Sequence, residues 1–488
     1  MYIHLNELKD KIKLVIPLGL DTDKELKICE VGDEIDSNSL LLITPLSSGS
    51  ERKIELTTSP YAIITDFADE RTFGQIPLIK TESTRECLAM AYSLSYKIDY
   101  NDIKIIGVTG TSGKSTTAEM IFRILSLNNI NVGLIGTGII KTNAKIYTDR
   151  YYSMTTPDPK DLYKYIRQMI KEGCKYIVME VSSHSIALGK VSSITFEVGI
   201  FTNLSEEHRD FHKDMKEYQS VKARLFDKVK YGIFNIDDQW VKEVYEKAQC
   251  NKCGIGVLWH GDVYATDIHQ RGLKGSSFYY REDGLIFGVD LMLPGPFNIY
   301  NSLFAIKCCI QLGIKPTLVK QAIHLVDGVK GRMECIYDEV TVVIDYAHTP
   351  LALESLLKAL NQGKNAWQKI TTVFGCGGNR DKEKRPQMGK IAYELSDKVI
   401  ITEDNNRCEG FDEIAGQILR GVEELDSVSV IADRTLAIRY AIMSAEKNDI
   451  VAIVGKGHEE YIINASGTHP FDERAIITEA LRDRQNAY

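Results

Sequence analysis

Long apolar runs are missing from this chain, and their absence excludes one class of protein at the outset. No segment approaches the roughly 20 consecutive apolar residues needed to span a bilayer, although apolar residues make up 44% of the 488. A surplus of positive charge is missing too: 59 Lys and Arg face 67 Asp and Glu, a formal net charge of −8. That balance disfavours non-specific binding to nucleic acid or to an anionic membrane, and neither is expected as a partner. The ten cysteines form no disulfide framework. Cys250 and Cys253 make a lone CxxC without a second pair at zinc spacing, and read as thiols of a loop. Low-complexity stretches and short repeats are absent. The opening MYIHLNELKDKIKLVIPLG carries charges throughout and has no apolar core long enough for a signal peptide. What these absences leave is a reduced, cytoplasmic enzyme.

A chain of this length predicts about three domains, and its patterning divides at residues 1–98, 99–329 and 330–488. The first zone mixes short apolar runs (residues 40–44 and 61–65) with polar turns and offers no readable motif. The second opens on Lys104-Ile105-Ile106-Gly107-Val108, the apolar pattern of a buried parallel strand. A glycine-rich turn follows, then helical character over residues 116–125. Asp158-Pro159 is a helix start, with Asp as N-cap and Pro at the first helical position. Apolar Leu162, Ile166, Met169 and Ile170 recur at helical spacing behind it. Buried strands are expected at residues 176–179 and 198–201. From about residue 330, strands near Val342, Ile370, Lys398, Val428 and Ile450 alternate with helices over residues 386–395, 414–422 and 436–445. Strand–helix units of about 25 to 30 residues predict a parallel, doubly wound sheet with right-handed crossovers.

The chemistry concentrates in GVTGTSGKSTTAEM, residues 107–120. Gly110-Thr111-Ser112-Gly113-Lys114-Ser115 follows a predicted strand and opens a predicted helix. Backbone N–H groups and the helix N-terminus then face an anion. In that setting Lys114 reaches the β- and γ-phosphates of a nucleotide and the Ser115 hydroxyl binds Mg²⁺. The strict pattern has a glycine at the position of Val108. Ligands of open α/β sheets collect beyond the carboxyl ends of strands, which places Glu180 to share a metal with Ser115. His208 follows another strand end. Alone it is as readily a surface histidine; beside Glu180 and the loop it reads as a metal ligand. Lys222 lies on a predicted helix, and its spacing alone makes it a solvated lysine.

Together with TTPDP (155–159), MEVSSHSIALGKV (179–191), FTNLSEEHRDFH (201–212), KARLF (222–226), FNIYN (297–301), GRME (331–334), DYAHTP (345–350), GCGGNRDKEKRP (375–386), DNNR (404–407) and GKGHE (455–459), the loop resembles the Mur ligases. These are ATP-dependent amino-acid ligases of peptidoglycan assembly, and the pattern is most similar to the members that add the third stem-peptide residue. The resemblance implies an α/β fold with a central P-loop-type ATPase sheet and a Rossmann-like C-terminal domain. It implies that ATP is held by Gly110 through Thr116, namely Gly110, Thr111, Ser112, Gly113, Lys114, Ser115 and Thr116, with Asn298, Asn301, Arg332, Asp345 and His348. It implies two Mg²⁺ ions near Ser115, Glu180, His208 and Lys222, with Lys222 carbamylated and bridging. The substrates would be small molecules, an amino acid and a carboxylate acceptor of the UDP-linked muramoyl dipeptide type. Thr155, Thr156, Ser182 and Lys190 match acceptor positions. Arg380, Asp404, Asn405, Arg407, Gly455 and Glu459 match the amino-acid site, where Asp-Asn-Pro-Arg goes with diaminopimelate.

Several positions depart from the family pattern. Asp36-Ser37-Asn38 replaces Asp-Ser-Arg, and nothing in residues 40–69 resembles the stretch that frames a uridine nucleotide. Lys190 stands for the usual arginine, Ser112 for asparagine, Glu207 for aspartate and Asn406 for proline, whose loss is expected to loosen its loop. These changes fall on the acceptor side more than on the ATP side. They leave open a paralogue that ligates an amino acid to a different carboxylate. A regulatory P-loop NTPase is the rival class, and the strand-end motifs near Asp345, Gly375, Asp404, Asp433 and Gly455 speak against it.

Overall fold

The structure, a computed structural model, describes residues 1–45, 56–67, 73–149, 152–206 and 212–487. Three large sheets follow one another along the chain. The first has six strands in the spatial order Tyr2–His4, Glu25–Glu30, Ser39–Leu42, Ala62–Thr65, Leu78–Thr81 and Leu14–Val15. Its four inner strands are parallel and its two edge strands antiparallel. The short apolar runs of the first zone are thus two buried inner strands, SLLL and AIIT.

The second sheet has ten strands. Lys104–Thr109 lies inside it, hydrogen-bonded on one side to Tyr176–Glu180 and on the other to Phe196–Phe201, both parallel. Five of its six residues are buried, as the apolar pattern predicts for a strand covered on both faces. Beyond Tyr176–Glu180 come Val132–Gly136 and the antiparallel Ile139–Thr142. Beyond Phe196–Phe201 come Val229–Asn235, Asn251–Gly256, Val263–Gln270, Ser276–Glu282 and Leu285–Leu291, the last two antiparallel. Cys253 is a buried residue of the strand Asn251–Gly256, which corrects the loop reading of the CxxC pair; its alternate side chains face opposite sides of the sheet.

One face of this sheet packs the helices Lys114–Leu127 and Pro296–Gln311. The other shares a continuous apolar core with the first sheet, through the helices Thr84–Ser95 and Pro159–Lys171. The latter helix starts where expected, but the Asp158 side chain does not cap it; it pairs with Lys190 at 2.7 Å.

The third sheet orders Glu334–Tyr337, Thr341–Asp345, Ile450–Val454, Ile370–Phe374, Lys398–Ile401 and Val428–Val430, parallel except for the first. Pro350–Gly363, Lys384–Leu395 and Phe411–Leu419 cover one face; Arg434–Ser444 and Glu473–Ala487 cover the other. This is the doubly wound arrangement that the alternation predicts. Among the described residues no helix is long and apolar enough to cross a membrane.

Candidate functional site

The phosphate loop leaves the carboxyl end of Lys104–Thr109 and enters the helix Lys114–Leu127 at Gly113, whose φ of +84° is left-handed. A glycine is required there on two counts. The conformation penalises any Cβ, and a Cβ would lie 2.5 Å from Asn301 Oδ1. The loop is fastened from its neighbours: the Thr111 N–H donates to Asn203 O at 2.9 Å, the Ser112 N–H to Asn203 Oδ1 at 2.9 Å, and Thr202 Oγ1 to Ser112 O at 2.6 Å. Lys114 Nζ folds back onto the loop and donates to the Gly110 and Thr111 carbonyls at 2.9 and 2.7 Å. Thr116 is buried in the first turn of the helix. Asn298 and Asn301 are buried on Pro296–Gln311, joined by a 2.9 Å hydrogen bond. Asn301 accepts from Thr117 Oγ1 at 3.3 Å and so backs the loop directly.

Next to the loop, Ser115 Oγ donates to Glu180 Oε2 at 2.9 Å, the juxtaposition expected of a shared metal site. Glu180 is 2% exposed. Its carboxylate is also gripped by Thr137, whose N–H donates to Oε1 at 2.9 Å and whose hydroxyl contacts Oε2 at 3.1 Å. The same hydroxyl lies 3.0 Å from Thr155 Oγ1. Lys222 is not solvated: it is 1% exposed, and its Nζ donates to Gly110 O at 2.9 Å with the Tyr218 ring 4.8 Å away. The spacing argument fails there because the helix Met215–Ala223 packs this face against the loop. His208 lies outside the described residues. Among the described residues no three His, Cys, Asp or Glu side chains form a ready metal cage.

The C-terminal unit meets this centre through Arg332. Its Nη2 donates to Ser115 Oγ at 3.1 Å while its guanidinium covers the Tyr346 ring at 4.7 Å. Asp345 accepts the N–H groups of Met333 and Ala347, each at 2.7 Å, and so fixes the backbone that carries Arg332. Burial raises its carboxyl above the usual range against the pull of Arg332. His348 packs edge-on against Tyr346, 4.7 Å between centroids. His458 also packs against Tyr346, at 4.8 Å, and against Gly138 of the central unit. Burial first, then Arg332, Lys330 and Arg474, lower its pKa to about 3.

Between the two units lies a cavity of about 920 Å³. Ser153, Thr155, His184 and Glu206 line it from the central unit; Arg380, Asp404, Asn405, Arg407, Gly455 and Glu459 line it from the other. Asn405 Nδ2 donates to Glu459 Oε2 at 2.8 Å. Arg407 Nη1 donates to the carbonyls of Gly378 and Asn405 at 3.0 and 3.1 Å. Arg380 is exposed at the rim. Replacing proline by Asn406 adds an N–H, which donates to Asp404 O at 3.0 Å; that bond, with Arg407 N–H to Ile463 O at 3.0 Å, ties down the loop expected to be loosened.

The residues expected on the acceptor side are less tightly grouped. Thr156 Oγ1 donates to Glu180 O at 2.9 Å, and Ser182 Oγ caps the short helix Ser183–Ala187. Lys190 is held away by Asp158. Thr137 is the residue that sequence reasoning missed. Its signal was a Thr-Gly directly after the apolar run of Val132–Gly136, at a strand end.

A fastened phosphate loop, a buried acid on its serine and a doubly wound unit reaching across to both define a class of protein: a P-loop α/β enzyme with its site shared between two units. Residues 108–309 match the Mur ligase middle domain, and residues 331–457 match the Mur ligase, glutamate ligase domain. The chain is 40% identical over 418 residues to the UDP-N-acetylmuramoyl-L-alanyl-D-glutamate--2,6-diaminopimelate ligase of Clostridioides difficile (strain 630), covering 83% of this chain and 84% of that one. It is 38% identical over 411 residues to ligase 1 of the same name in Clostridium acetobutylicum, covering 83% and 84%. A solved structure of a ligase of that name superposes with a TM-score of 0.67 at 24% identity, covering 99% of this chain and 100% of that one, a likeness of fold. The chain belongs to the Mur ligase family.

Proposed function

We propose that this chain is an ADP-forming ligase that joins a diamino acid of the meso-diaminopimelate type to the carboxylate of UDP-N-acetylmuramoyl-L-Ala-D-Glu, in the cytoplasm. The observation that carries the reading is the cavity whose two walls differ in chemistry. Ser153, Thr155, His184 and Glu206 form one wall, with Thr155 joined through Thr137 and Glu180 to Ser115 of the phosphate loop, and Asp404, Asn405, Arg407 and Glu459 form the other. The relatives' names give the substrates. In this reading the domain limits are 1–98 for the acceptor, 99–329 for ATP and 330–488 for the amino acid.

A carboxylate is a poor electrophile at neutral pH. Transfer of the γ-phosphoryl group of ATP to it forms an acyl phosphate and releases ADP. The amine of the amino acid then attacks the acyl carbon, the C–N bond forms, and phosphate leaves. Lys114, freed from its loop carbonyls, would pair with the transferring phosphoryl oxygens, and Arg332 would add a second positive charge from the facing unit. Thr155, Thr156 and Ser182, with Lys190, form the acceptor side. Arg407 and Arg380 pair with the carboxylates of the amino acid and Glu459 with its distal ammonium. Closure around the cavity keeps water from the acyl phosphate.

The donor set fits Mg²⁺. The Ser115 hydroxyl and the buried Glu180 carboxylate are hard oxygen ligands, and Mg²⁺ typically takes few protein ligands beside substrate phosphates. Bound there, it would neutralise phosphate charge. Carbamylated Lys222, His208 and a second ion belong to this reading; the burial of Lys222 against the loop supports it.

The test is incubation with ATP, Mg²⁺ and a panel of amino acids, with and without UDP-N-acetylmuramoyl-L-Ala-D-Glu. Mass spectrometry should find an amide, with equimolar phosphate, when acceptor and meso-diaminopimelate are both present. Phosphate release that ignores the amine would overturn the reading.

A further inference from the structure

Lys456 is completely buried, yet it is a charged residue one step behind the cavity wall and does not line the cavity itself. Its Nζ donates to Asn405 Oδ1 at 3.1 Å and to Glu459 Oε2 at 3.4 Å, and lies 3.6 Å from Asp404 Oδ1. All three partners line the cavity. Resting on the amino-acid site just described, we propose that Lys456 is a positioning residue whose buried ammonium holds Asp404, Asn405 and Glu459 in the arrangement that receives a zwitterionic diamino acid.

Hydrogen-bond counting supports this. An amide oxygen accepts and its nitrogen donates. Asn405 Oδ1 accepts hydrogen bonds from Lys456 Nζ and from the Ile463 N–H at 2.9 Å, so its Nδ2 must turn to Glu459. Charge counting supports it as well. Asp404 is buried and Glu459 largely so, two acids in one wall, and an unpaired charge held away from water is costly. Lys456 is the cation that touches both. Burial pushes the Asp404 carboxyl up, but Lys456 and then Arg434 outweigh it and hold it below the usual range. Burial raises Glu459, with Asp404 in the same direction and Lys456 opposing. Tyr346 Oη, at 3.4 Å, and Tyr461 are the other titratable groups facing Glu459. Removing Lys456 therefore leaves Glu459 to take up a proton at a higher pH. A protonated Glu459 cannot pair with the distal ammonium of the substrate.

The experiment compares wild type with Lys456→Met and Lys456→Gln in steady-state kinetics, from pH 8.5 to 6. Lys456→Met should raise the KM for meso-diaminopimelate by about ten- to a hundredfold and leave the KM for ATP within about twofold. Its amino-acid KM should begin to climb at a higher pH than in wild type as the medium is acidified. A purely structural defect would not move that inflection. Lys456→Gln keeps a donor to Asn405 but no charge, and should show the same shifted inflection; it decides the matter if the methionine variant does not fold. An unchanged amino-acid KM, superimposable pH profiles, or wild-type behaviour of Lys456→Gln would overturn the role of Lys456 alone. A wild type that forms no product with any diamino acid sinks the site reading, and this role with it.

Discussion

Gly113→Ala tests the phosphate loop most directly, because its cost can be worked out from the structure. A left-handed φ of +84° costs an L-residue about 1–2 kcal/mol. The new methyl would also stand 2.5 Å from Asn301 Oδ1. That side chain cannot simply swing away: it is 5% exposed, it accepts from Thr117, and it donates to Asn298. Displacing it breaks a buried hydrogen bond, about 1–2 kcal/mol more. Together these predict a loss of about 2–4 kcal/mol from the binding-competent loop, or roughly thirty- to a thousandfold in apparent ATP affinity. The assay is the KM for ATP from coupled phosphate release, with nucleotide binding by calorimetry as a second readout. Asn301→Ala removes the collision, so Gly113→Ala should cost less in that background, leaving mainly the backbone term. An ATP affinity within about twofold of wild type in Gly113→Ala would mean that this loop does not hold the nucleotide.

Thr137→Val should lower kcat/KM about tenfold or more and raise the Mg²⁺ concentration needed for half-maximal rate, while Thr137→Ser restores both; equal Mg²⁺ dependence in all three proteins would show that the grip on Glu180 is incidental. Arg407→Ala should raise the KM for the amino acid at least tenfold and spare that for ATP; an equal rise in both would remove it from the substrate clamp. Lys222→Ala should be inactive and regain partial activity with a short carboxylic acid, and an activity near wild type without the acid would refute a carbamate bridge. His458 keeps a folded pKa of about 3, below the ordinary 6.5, so between those values the unfolded chain binds more protons and stability falls with falling pH. From pH 7 to 5, wild type should lose on the order of 1–2 kcal/mol more than His458→Gln by denaturant titration; parallel losses would contradict the buried neutral ring.

Legibility in the sequence followed the range of the interactions. The strands that begin at Ile370, Lys398, Val428 and Ile450 were readable because each is a short apolar run bounded by a helical pattern. The helix Lys114–Leu127 was readable because the glycines, lysine and serine of its entry are contiguous. The inner strands of the first sheet are only four to six residues long and their pairing is non-local, so nothing in zone one announced a parallel sheet. Thr137 was invisible for a related reason. It meets Glu180 because Val132–Gly136 crosses over to pair beside Tyr176–Glu180, forty residues later in the chain by order of magnitude. Lys222 was misjudged from spacing, since burial on the helix Met215–Ala223 depends on a neighbour more than a hundred positions away by order of magnitude. Asp158 shows the converse: the residue type suits a cap, and a stronger partner, Lys190, takes the side chain.

The same non-local contacts explain why the chemistry is divided between two units. Lys114 is already hydrogen-bonded to the loop carbonyls and Ser115 to the Glu180 carboxylate within the central unit, so the loop is fastened before a ligand arrives. In the proposed reading, a nucleotide would exchange the neutral acceptors of Lys114 for charged ones, which form hydrogen bonds roughly twice as strong. Arg332 and His458 bring the second unit onto this fastened surface, at Ser115 and Gly138. The cavity wall of Asp404, Asn405, Arg407 and Glu459 therefore takes its position relative to the loop through those contacts. In the proposed reading, an amine held by Asp404, Asn405, Arg407 and Glu459 would meet an activated carboxylate only when both units are docked, and that requirement would couple acyl activation to its capture by nitrogen.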